Sequence, residues 1–204
     1  MDDQSTRGDI SAYGLTTCSG GNISLRVGES HVLITPSALD KGLINFRQIA
    51  LMTLDGENLS SALKPSIETD MHLKILRARP DIKCVVHAHP KYASLYTAAG
   101  SSRINTDLLA EARFLLKEPA FASYALMGTE ALGDTVSTSL SKGANAVLLE
   151  NHGVLTVGQT LLQAFDRMEV LEAAAEMSIH SMNTIKVNHL SHEQLKEIDS
   201  LHQK

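Results

Sequence analysis

Two histidines one residue apart, His87-Ala88-His89, and a third in Glu150-Asn151-His152-Gly153 are the residues whose types and spacing could do chemistry. The pair closes the apolar run Lys83-Cys84-Val85-Val86, which reads as a buried strand. Residues two apart on a strand share a face, so both imidazoles reach toward one point. His152 closes a second apolar run, Ala146-Val147-Leu148-Leu149, and Gly153 reads as the residue that lets the backbone turn sharply there. Three neutral imidazoles with an open fourth position are how a catalytic zinc is held, unlike the closed four-ligand structural sites. His87, His89 and His152 are therefore the candidate ligands for Zn2+ or another divalent ion. A single histidine is more often a hydrogen-bonded core residue; two strand ends converging on one cleft weigh toward ligation. His31, His72, His180, His189, His192 and His202 lack such a setting and read as structural or surface residues.

Lys64-Pro65-Ser66-Ile67-Glu68-Thr69 places Ser66 and Glu68 at the start of a helix, where free N–H groups and the helix dipole favour an anion. The plain reading is a helix capped by Ser66 with an acidic first turn. The sharper one is a phosphate held by the Ser66 hydroxyl and nearby amides, with Glu68 as a base close to the metal. Thr17-Cys18-Ser19-Gly20-Gly21-Asn22 is a small-residue loop that matches neither G-x-G-x-x-G nor a P-loop. It reads either as a tight bend or as a nest of amides for an anion. Thr35-Pro36-Ser37-Ala38 is a turn of the same kind.

The elements that position these groups follow from periodicity. Strands are expected at 22–27, 31–35 and 49–54, forming an antiparallel meander. A helix from Ser66 to Ala78 carries the stripe Ile67, Met71, Ile75 and Ala78 and stops at Pro80. After the His87 strand come helices at 91–99 and 108–116, a short strand at 121–125, a helix at 129–140, the strand to His152 and a long helix at 160–182. Ser191-His192-Glu193-Gln194 is a capping box that opens a last helix. The pattern predicts an α/β fold: a single three-layer αβα domain over 1–204 with a central, mainly antiparallel or mixed sheet. Residues 1–13 are expected to fray, and 183–204 to form a C-terminal tail and helix. Loops carrying the site are expected at one edge of the sheet.

With 204 residues, 43% hydrophobic and 20% charged, the chain suits one globular domain. A net charge of −5 gives no reason to expect nucleic acid or an anionic membrane as partner. No apolar run is long enough to span a bilayer and no signal peptide opens the chain. Two cysteines, Cys18 and Cys84, build no disulfide framework and fit a reducing, cytoplasmic setting. Cys84 has the wrong strand parity to join His87 and His89, so it is expected to face away as a core thiol.

Taken in order, these motifs resemble the class II aldolase/adducin family. The matching stretches are Ser19-Gly20-Gly21-Asn22-Ile23-Ser24, Leu33-Ile34-Thr35-Pro36-Ser37 and Lys64-Pro65-Ser66-Ile67-Glu68, then Arg79-Pro80-Asp81 to Val85-Val86-His87-Ala88-His89-Pro90, Gly128-Thr129 and Leu149-Glu150-Asn151-His152-Gly153-Val154. The resemblance covers roughly residues 14–180. It implies zinc on His87, His89 and His152, and Glu68 as catalytic acid/base. It also implies a substrate phosphate held by Asn22, Ser37 and Ser66 with amides near Gly21 and Ala38, and a homotetramer with the site between subunits. The implied reaction is retro-aldol cleavage of a ketose 1-phosphate to dihydroxyacetone phosphate and an aldehyde. The alternatives are decarboxylation of a phosphorylated oxo sugar acid, sugar-phosphate epimerisation, or a non-catalytic scaffold of the adducin kind. The chain departs from the aldolase pattern at Ile67, where a second serine is usual, and at Ala38, where glycine is usual. It also lacks a tyrosine between Ser101 and Phe121; Glu111 is the ionisable group of that stretch that could replace it.

Overall fold

In the computed structural model, residues 14–100, 103–182 and 186–201 are described. The expected fraying of 1–13, and parts of the C-terminal tail, lie outside them. Seven strands form one sheet: β1 (Asn22–Val27), β2 (His31–Ile34), β3 (Ala50–Thr53), β4 (Cys84–Ala88), β5 (Ala120–Ala122), β6 (Ala146–Leu149) and β7 (Gly153–Gly158). Their order is β3-β2-β1-β4-β7-β6-β5. All neighbours run antiparallel except β5 and β6.

Among the described residues, six α-helices flank the sheet: α1 (Thr69–Ala78), α2 (Lys91–Ala98), α3 (Ala110–Leu116), α4 (Glu130–Leu140), α5 (Leu161–Ser181) and α6 (His192–Ser200). Strand parity divides the core between the two faces. Val85, Val147, Leu155 and Val157 pack with Met71 and Leu76 of α1 and Val136 and Leu140 of α4. Cys84, Val86, Ala88 and Leu148 pack on the other face with Tyr96, Leu116, Phe165 and Met168 from α2, α3 and α5. The three-layer αβα expectation holds, and Cys84 is a buried core thiol on the face away from Val85 and α1, as expected.

Four local expectations change. Glu68, not Ser66, is the residue before α1, and no side chain caps that helix. Ser66 Oγ instead accepts from the Glu68 amide at 3.3 Å in a lead-in turn. The helix expected at 108–116 divides into a 3-10 turn, Thr106–Leu108, and α3, while the strand expected at 121–125 is Ala120–Ala122. Gly153 does not make the turn after β6; it is already the first residue of β7, and the left-handed position is Asn151, φ 52°. Strand β7 itself has no counterpart among the expected elements. It begins directly after His152, past the strand expected to lead to that histidine.

Candidate metal centre

The site forms where the central strands end, rather than at a lateral edge of the sheet. His87 lies within β4, and Asn22 is its register partner on β1. His89 follows on the same face, its amide donating to the Leu15 carbonyl at 3.1 Å. The tight β6–β7 hairpin presents His152, whose amide donates to Leu149 at 3.0 Å. One ligand atom from each of His87, His89 and His152 lies within 4.8 Å of the others. Gly153 makes this possible by close approach: a Cβ there would meet His89 Cδ2 at 2.4 Å and the Ala88 carbonyl at 2.7 Å. Gly21, at φ 68°, likewise presses on the His87 carbonyl, 2.6 Å from where its Cβ would be.

Glu68 completes the cluster. Its Oε2 lies 3.4 Å from His87 Nε2 and its Oε1 3.2 Å from His152 Nε2. His87 Nδ1 must be protonated, because it donates to the Val154 carbonyl at 2.9 Å. Its Nε2 is then a bare lone pair, buried and without a hydrogen-bond partner, and Glu68 Oε1 is likewise buried and unpartnered. Protonating His87 or His89 does not relieve this crowding of acceptors. Burial, then the neighbouring His89 and His152, push the His87 pKa well below the ordinary histidine value. Burial and His152 push His89 the same way, against Glu68. A buried carboxylate facing imidazole lone pairs is an environment that a divalent cation would satisfy, so the donor set fits such an ion.

The remaining expected residues divide. Gly21 and Asn22 line a cavity of about 20 Å³ together with Thr35, Lys41 and His87. Ser37, Ala38 and Ser66 are not in that lining. They lie on two segments joined by the Pro36–Pro65 bridge, where the Ser37 amide is already bonded to the Lys64 carbonyl at 3.1 Å. Asn22 is engaged as well, donating from Nδ2 to Glu68 Oε2 at 2.7 Å. Glu111 is exposed on α3, which packs across the sheet from α1, so one chain does not bring it to the cluster.

Two residues without an expected role adjoin the site. Lys41 borders the cavity and donates from Nζ to the Pro36 carbonyl at 2.8 Å. His72, read as structural, is fully buried behind Asn22. The Glu68-x-x-x-His72 spacing puts both on one helical face, a signal that could have found it.

A family model described as the Class II Aldolase and Adducin N-terminal domain matches residues 6–179. An L-fuculose phosphate aldolase from Methanococcus maripaludis (strain C7) is 31% identical over 169 residues, 82% of this chain and 88% of that protein. A 3-oxo-tetronate 4-phosphate decarboxylase from Haemophilus influenzae is 26% identical over 190 residues, 92% of this chain and 89% of that protein. A solved L-fuculose 1-phosphate aldolase is 28% identical, with a TM-score of 0.88 over 98% of this chain and 94% of that one.

Proposed function

The chain belongs to the class II aldolase and adducin family, and from that premise we propose that it is a metal-dependent carbon–carbon lyase that cleaves a ketose 1-phosphate by a retro-aldol reaction. The products in this reading are dihydroxyacetone phosphate and an aldehyde. The observation that carries it is the position of Glu68, a buried carboxylate 3.4 Å from His87 and 3.2 Å from His152.

His87, His89 and His152 would hold the ion, with zinc the expected metal. The ion supplies Lewis acidity, drawing electron density from the substrate carbonyl. The chain's own groups do the rest. The Val154 carbonyl fixes the His87 tautomer, so Nε2 stays a donor of its lone pair. The hydroxyl of the departing carbon gives its proton to solvent, its electrons form the aldehyde carbonyl as the carbon–carbon bond breaks, and the bond pair is left on the carbon beside the ketone, to which protonated Glu68 delivers its proton. In the synthetic direction Glu68 removes the same proton. Gly21, Asn22, Ser37, Ala38 and Ser66 are the proposed phosphate contacts, and Lys41 joins them as the nearby cation. A homotetramer with the site between subunits belongs to this reading. Exposed Ile67, Tyr124, Leu126 and Met127 support it, with Ile67 directly before Glu68.

Decarboxylation of a phosphorylated oxo sugar acid is the second reading, favoured by the Haemophilus influenzae relative that aligns over 92% of the chain. It would use the same carbanion and the same proton delivery. A panel of ketose 1-phosphates with detection of dihydroxyacetone phosphate, run beside oxo acid phosphates with detection of carbon dioxide, separates the two. Release of carbon dioxide alone would replace the aldolase with the decarboxylase. Glu68→Gln is expected to keep its metal while proton exchange into dihydroxyacetone phosphate falls about 10²–10⁴-fold. Unchanged exchange would remove Glu68 from its role.

A further inference from the structure

Behind the histidine cluster, on the α1 face of the sheet, four polar side chains form a line through the core. Ser24 Oγ lies 2.7 Å from His72 Nδ1, and His72 Nε2 lies 2.5 Å from Asn22 Oδ1. Asn22 Nδ2 then reaches Glu68 Oε2 at 2.7 Å. All four are buried, His72 completely. Two periodicities bring them together. Asn22 and Ser24 are alternate residues of β1, while Glu68, immediately before α1, lies one turn from His72, whose amide donates to its carbonyl at 3.3 Å.

The direction of donation has one solution for an ionised Glu68. A carboxylate only accepts, so Asn22 presents its NH2 group to Glu68. The Asn22 carbonyl oxygen then faces His72, which places the hydrogen on Nε2. A neutral imidazole protonated at Nε2 has a bare Nδ1, and that atom accepts the Ser24 hydroxyl. Burial keeps the imidazole neutral by pushing its pKa down to about 3. Each donor–acceptor choice is set by its neighbour, and the chain of choices ends on the carboxylate.

We propose that His72 is a positioning residue for the reaction: it fixes the Asn22 amide so that a permanent N–H donor holds Glu68 Oε2 and leaves Oε1 turned toward His152. The inference rests on the reading of Glu68 as acid/base. An asparagine amide has nearly the same shape in either orientation, so packing alone does not select one. Reversed, it would set its oxygen against the carboxylate and drive Glu68 out of place.

The test has two parts. In the zinc-loaded protein labelled with 15N-histidine, the His72 resonances, assigned by their loss in His72→Gln, are expected to report an Nε2-protonated tautomer at neutral pH. An Nδ1-protonated His72 overturns the proposal, and this measurement needs no variant to be active. In the second part, His72→Met fills the space without a donor, whereas His72→Gln offers an amide N–H in its place. Exchange into dihydroxyacetone phosphate is expected to fall roughly ten- to hundredfold in kcat for His72→Met, with KM and metal content near wild type and recovery in His72→Gln. Equal losses in both variants, or a loss confined to KM, overturn it. Failure of the Glu68 reading is separate: it appears as unchanged exchange in Glu68→Gln, whatever the His72 tautomer.

Discussion

The Lys41 ammonium donates to a backbone carbonyl at 2.8 Å, and burial alone pushes its pKa below the ordinary lysine value. No carboxylate among the described residues forms an ion pair with it. A half-buried cation on the rim of a cavity shared with Gly21 and Asn22 suits an anion. Lys41→Met is expected to raise KM for phosphorylated substrates about tenfold, the effect of losing a charged hydrogen bond, with little change in kcat. An equal rise for the unphosphorylated sugar would deny Lys41 this role. The charge disappears as pH rises through the depressed pKa, so anion binding should weaken at a lower pH than an ordinary lysine would allow. Ala38 shows another residue-level compromise. It adopts φ 55°, a region glycine enters freely and alanine only at a cost of about 1–2 kcal/mol. The sequence marks Ala38 as a departure from the family pattern; only the backbone shows that the turn is nevertheless made.

Among the elements, the β6–β7 hairpin and β4 control the metal centre together. His152 stands on the hairpin and His87 on β4, and Gly153 leaves no room for a Cβ between the hairpin and the Ala88 carbonyl of β4. Gly153→Ala is expected to destabilise the fold by about 1–3 kcal/mol, the usual penalty for overpacking. It should also lower metal occupancy, because its Cβ collides with the His89 ring. Denaturant unfolding and metal analysis of the same preparation check this; full stability with full occupancy would refute it. Helix α2 shows how an element end is completed from a distance. Its N-terminus has no local cap, and Glu172 of α5 accepts from the Tyr92 and Ala93 amides at 2.9 and 2.8 Å. Such partners, far apart in the chain, leave no local pattern to read. Helices α4, α5 and α6, by contrast, are capped locally by the side chains of Thr129, Thr160 and Ser191, and the Ser191 capping box is legible in the sequence.

For the molecule as a whole, the buried histidines set a pH dependence. His72 ordinarily titrates near 6.5 and in the fold near 3, mainly because burial disfavours its charged form. His87 and His89 shift in the same direction. The unfolded chain therefore binds more protons across that window, and stability present above pH 6.5 is lost as pH falls toward 3. For His72 alone the loss is on the order of 4–5 kcal/mol over the full window. Urea unfolding of the metal-free protein at pH 7, 5 and 4 should show a shallower decline in His72→Gln than in wild type. Parallel declines would place the acid sensitivity elsewhere.

The division between what the chain alone determined and what its folding decided follows from the range of the interactions. Periodicity and caps are local, so the αβα alternation, most element types and the shared face of His87 and His89 were legible in the residues. Motif order was enough to suggest the family. Tertiary structure decided which strands adjoin, and so brought His152 beside a pair distant in the chain. It also moved the role of Gly153 from turning the backbone to admitting a neighbouring ring. The buried line from Ser24 through His72 and Asn22 to Glu68 was decided there too. Each of its hydrogen bonds joins residues from separate elements, and a donor's direction is set only once a desolvated partner has left it a single acceptor.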